Sequence, residues 1–112
     1  MNLNVKHFIE DKLLLFEFTE ELDHHQAEKI RKRADYEIQR FMPKKVMFDF
    51  KKVNFMDSAG IGLIIGRYKV ANCYGGKVEM LNVNNKVKRI FEMSGVLKIV
   101  PIIDNISSEQ TG

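Results

Sequence analysis

Two short runs dense in apolar and aromatic residues, Val5 to Ile9 and Leu13 to Phe18, open the chain with Glu10-Asp11-Lys12 between them, a pattern that predicts two strands joined by a hairpin or tight connection. From Ala27 the period changes. Ile30, Ala34, Ile38 and Phe41 recur at steps of three and four with charge elsewhere, which predicts a long helix with one apolar face, Asp23 as a plausible N-cap and Pro43 as its stop. Val46-Met47-Phe48-Asp49-Phe50 reads as a buried strand, followed by a loop from Lys51 to Asp57 and a second helix from about Ser58 to Cys73 that Gly75-Gly76 ends. Lys77 to Leu81 is the next strand. Asn84 can cap a third helix carrying Val87, Ile90 and Phe91 on one side, with Gly95 closing it, and a last strand is expected near Ile99 to Ile103. Asp104 to Gly112 is a polar tail, read as a short helix or a frayed end.

Strands alternating with helices imply the α/β class, as a single domain over residues 1–112 with a mostly parallel sheet of four to five strands covered by helices. A chain of 112 residues with 45% hydrophobic and 29% charged residues fits one such core and is too apolar for a disordered chain. Its longest apolar stretches are far too short to cross a bilayer, and Met1 to Glu10 lacks the segments of a signal peptide. The expected location is therefore the cytoplasm, with no membrane partner. A lone Cys73 agrees with that, since it offers neither a disulfide framework nor a zinc site. The net charge of +3 is modest, and Lys29, Arg31, Lys32 and Arg33 are bracketed by Glu28 and Asp35 as on a solvated helix face, so no nucleic acid partner is expected.

The chemistry concentrates at the start of the second helix, where a strand ends and functional groups gather in α/β folds. Ser58, Gly62 and Gly66 fall four apart on one stripe, while Ile61, Ile64, Tyr68 and Ala71 form another that suits the core. Two interior glycines cost about 1 kcal/mol each relative to alanine. The spacing leaves two explanations open: close packing of the helix on the sheet, or a partner approaching over a stripe without side chains. Ser58 has two readings as well. It can be a simple helix cap, or a phosphoacceptor whose phosphate the amides and dipole of the helix N-terminus would stabilise.

Other chemistries fit poorly. A serine hydrolase elbow needs glycine two residues before the serine, where Met56 stands. Adjacent His24 and His25 point in different directions on a helix and make a poor metal pair, and no phosphate-binding glycine loop is present. No catalytic residue, metal or cofactor is expected. An aspartate-phosphorylated receiver domain would need its acid pair directly after the first strand, whereas two β-like runs precede the first helix here. Asp49 is explained adequately by hydrogen bonding at a strand end.

Taken together, Glu21-Leu22-Asp23-His24, Val46-Met47-Phe48-Asp49-Phe50, Phe55-Met56-Asp57-Ser58-Ala59-Gly60-Ile61-Gly62 and Gly66-Arg67-Tyr68-Lys69 resemble the STAS domain. Gly75-Gly76, Asn82-Val83 and Ile90-Phe91-Glu92-Met93-Ser94-Gly95 extend the likeness over nearly the whole chain, and within the family it is most similar to the sporulation-type anti-sigma factor antagonists. That resemblance implies a non-enzymatic switch. The unphosphorylated form would bind an anti-sigma factor with serine kinase activity and free a sporulation sigma factor; phosphorylation of Ser58 would end the contact and a serine phosphatase would restore it. It further implies a partner-binding surface of Asp23, Asp57, Ser58, Ala59, Ile61, Gly62 and Gly66. Many relatives have glycine before Glu-Leu-Asp, where this chain has Glu20. Two alternatives stay open at this point: a STAS module that binds a nucleotide or small ligand, and an antagonist in a general stress response.

Overall fold

In the computed structural model, which describes residues 3–103, the opening strands β1 (Leu3–Phe8) and β2 (Leu13–Phe18) form an antiparallel hairpin with Leu3 opposite Phe18 and Phe8 opposite Leu13. Lys12, at φ 53°, turns the chain and donates its N–H to the Ile9 carbonyl at 3.2 Å. Helix α1 (His24–Phe41) follows. Asp23 caps it as expected, its Oδ1 accepting the Gln26 N–H at 2.8 Å. Met42 adopts the left-handed conformation just before Pro43, returning its N–H to the Ile38 carbonyl at 2.8 Å, so the helix stops there.

Strand β3 (Lys45–Asp49), helix α2 (Ser58–Cys73), strand β4 (Lys77–Leu81) and helix α3 (Asn85–Ser94) fall where periodicity and caps place them. Asn84 Oδ1 accepts the Val87 N–H at 2.9 Å, and Gly95 at φ 81° ends α3. At the other helix end, Gly76 is needed for space: a Cβ there would lie 2.6 Å from the Pro43 carbonyl oxygen.

The last strand is shorter than expected. Val96–Lys98 form a 3₁₀ turn, and β5 is only Ile102–Ile103. Pro101 has no N–H to add to the ladder, so only its carbonyl joins, accepting from Met80 N at 2.9 Å. The helix or frayed end expected over Asp104 to Gly112 lies outside the described residues.

The strands lie in the order β1-β2-β3-β4-β5, parallel from β2 onward and antiparallel only at β1. Parallel strands in sequential order, joined by the right-handed crossovers general to such connections, have their helices on one face. Apolar residues of α1, α2 and α3 share one core with that face of the sheet. Leu14, Phe16 and Phe18 share that face with Val46, Phe48, Val78 and Met80, and all seven are buried. Phe18 stacks on Phe48 and meets Phe50 edge-on, and Phe50 in turn meets Phe91 of α3. The opposite face carries cross-strand ion pairs, Lys6 with Glu17 and Lys45 with Glu79, at 3.5 Å each.

Candidate functional site

Because β2 and β3 are neighbours running the same way, the loops that follow them emerge side by side. A parallel bridge between Leu22 and Met56 joins them, and both side chains are fully buried. This bridge places Asp23, at the head of α1, in the loop alongside Asp57 at the head of α2. Asp49, at the end of β3, accepts hydrogen bonds from Lys51 N at 2.9 Å and Asn82 Nδ2 at 3.0 Å, the strand-end role expected of it.

The cap of α2 is Asp57 and not Ser58. Asp57 has an extended backbone, φ −101° and ψ −169°, and its Oδ1 accepts the Ala59 N–H at 2.8 Å. Asp57 and Ser58 are both good capping residues, and the one with non-helical dihedrals takes the role. Ser58 is thereby the first helical residue and is exposed, with a hydroxyl that capping does not use.

The glycines separate by function. Gly60 is buried, and a Cβ on it would fall 2.6 Å from Met56 Sδ, so its smallness serves the fold. Gly62 and Gly66 would meet nothing within 4 Å. Packing of α2 on the sheet therefore does not require them, and the first of the two explanations left open by the spacing fails. The buried positions of α2 are Gly60, Leu63, Ile64, Arg67 and Ala71, while Ile61 and Tyr68, expected in the core stripe, are only half-buried. Ser58, Gly62 and Gly66 form a stripe away from that core.

Two further features have no local signal in the sequence. The Glu21 carboxylate accepts the backbone N–H of Asn54 at 3.2 Å and of Phe55 at 2.6 Å, tying the first loop to the second. Arg67, only 5% exposed, lies between the helices with Nε 2.7 Å from Asp35 Oδ1 on α1, close enough to pair although the angle is not that of a hydrogen bond. Burial pulls its guanidinium below the ordinary arginine range, and the Asp35 charge opposes that. His24 and His25 are both exposed, and among the described residues no group of three or more histidine, cysteine, aspartate or glutamate side chains could hold a metal ion. No helix among them is long and apolar enough to cross a membrane.

The STAS domain profile matches residues 4–109. The chain belongs to the STAS domain family. The anti-sigma F factor antagonist of Paenibacillus polymyxa is 40% identical to this STAS domain over 105 residues, 94% of this chain and 90% of that protein. The structure of the anti-sigma factor antagonist SpoIIAA in its unphosphorylated form superposes with a TM-score of 0.82 at 26% identity, covering 97% of this chain and 92% of that one. The Bacillus cell fate determinant SpoIIAA in its phosphorylated form gives 0.73 at 25% identity, with 97% and 96% covered. The STAS fold here thus resembles a protein solved in both phosphorylation states.

Proposed function

We propose that this STAS domain is an anti-sigma factor antagonist that acts by binding and not by catalysis, with Ser58 as its phosphorylation switch. The observation that carries this reading is the open stripe Ser58, Gly62, Gly66. Two glycines that the fold does not need sit one and two turns below an exposed serine. A smooth helix surface of this kind lets a partner's backbone approach closely, and Asp23, Asp57, Ala59 and Ile61 border it at the same end of the molecule.

Phosphorylation at the first position of α2 would be tolerated by the fold. The helix dipole favours the negative charge there, while Asp57, whose carboxylate already holds the Ala59 N–H, opposes it. A partner covering the stripe would have to desolvate phosphate and carboxylate together. A penalty of about 3 to 4 kcal/mol weakens binding by two to three orders of magnitude. The partner is an anti-sigma factor that is itself the serine kinase, and a serine phosphatase resets the switch in the cytoplasm.

The test is binding of the purified protein to its anti-sigma factor with and without ATP. Ser58→Ala should bind and never be released by ATP, and Ser58→Asp should bind weakly. Wild-type behaviour from both variants would overturn the assignment of Ser58.

A further inference from the structure

Phe55 lies three residues before Ser58 and is 61% exposed, although Val53 and Met56 on either side are fully buried. Among the described residues it is the one large exposed hydrophobic side chain at this end of the sheet. Phe8, Ile9, Tyr36, Met42, Tyr74, Met93 and Ile99 all belong to the opposite strand ends, the helix C-terminal halves or the connection leading into β5. The backbone that presents Phe55 is fixed from three directions. Glu21 accepts its N–H and that of Asn54, Asn84 Nδ2 donates to the Val53 carbonyl at 3.1 Å, and the Leu22–Met56 bridge closes the loop from the other side.

An exposed aromatic ring on a loop held this firmly contributes nothing to the core, yet it has already lost the backbone freedom that binding would otherwise remove. Aromatic residues, phenylalanine among them, are enriched at the buried cores of protein interfaces, where they offer large contact area with few rotatable bonds. We infer that Phe55 is the apolar anchor of the anti-sigma factor contact, entering an apolar pocket of that partner beside the Ser58 stripe, and that Glu21 is the residue that positions it. This inference rests on the antagonist reading above and extends the interface beyond Asp23 and the Asp57–Gly66 segment into the loop that leads to α2.

The experiment measures association and dissociation rates of the full-length unphosphorylated chain with the purified anti-sigma factor of the same genome, alongside thermal midpoints. Phe55→Ala should lose about thirtyfold in affinity, almost all of it as faster dissociation. Phe55→Leu should recover a large part of that loss. Glu21→Ala should also dissociate faster, with amide exchange at Asn54 and Phe55 accelerated and the thermal midpoint little changed, a combination that a purely structural residue would not give. Binding by wild type with Phe55→Ala within twofold of it would overturn this inference alone. Absence of binding by wild type would overturn the antagonist reading and this inference with it.

Discussion

A single methyl group distinguishes what each glycine of α2 does. At Gly62 and Gly66 an added Cβ meets open space, so Gly62→Ala and Gly66→Ala should each stabilise the free protein by about 0.5 to 1 kcal/mol through helix propensity alone. Against a closely apposed partner the same methyl is overpacking, which costs about 1 to 3 kcal/mol and weakens binding about tenfold or more. Stability and affinity should therefore move in opposite directions, as urea denaturation and calorimetric titration on the same samples would reveal. Gly60→Ala should instead destabilise, because its Cβ runs into buried Met56. If Gly62→Ala and Gly66→Ala left affinity unchanged, the stripe would not be the contact. The sequence alone leaves these positions equivalent, since spacing along a helix says which residues share a face and not what stands opposite that face.

At the scale of elements, α1 and α2 are held together in part by Arg67 and Asp35. Asp35→Ala should cost about 3 kcal/mol by leaving a buried guanidinium without its counter-charge, and Arg67→Met in that background should restore most of the loss. Chemical denaturation of the four proteins in the cycle measures the coupling. Additive effects would mean that the pair is not what joins the helices. This contact also marks the limit of what local pattern conveys. The strands, the three helices, and the Asp23 and Asn84 caps were legible because each rests on a period or on a residue within one turn of its partner. The Arg67–Asp35 pair, the buried Glu37 beside His7, and the Glu21 clamp join residues some thirty positions apart, and nothing near them in sequence announces the partner. The local pattern puts the cap of α2 on Ser58 for a different reason: two capping residues stand side by side, and only the backbone dihedrals give the role to Asp57.

For the molecule as a whole, the question is whether the proposed phosphorylation of Ser58 would work by changing the fold or by changing its surface. Ser58 stands outside the core, at the first position of a helix whose cap, buried face and packing on α1 do not involve its hydroxyl. The dipole contributes about 0.3 to 1 kcal/mol in favour of the phosphate, and the nearby Asp57 carboxylate offsets part of it. The net change in unfolding free energy should stay within about 1 kcal/mol, which for a domain of this size is a shift in melting temperature of only a few degrees. Affinity for the anti-sigma factor should fall by two to three orders of magnitude over the same modification. Calorimetric unfolding and binding measured on one stoichiometrically phosphorylated preparation give both numbers. Parallel losses of stability and affinity would point to a switch that melts the start of α2. Loss of affinity alone is what the geometry predicts, because the charge would be added where the fold is indifferent to it and where the proposed partner would have to bury it.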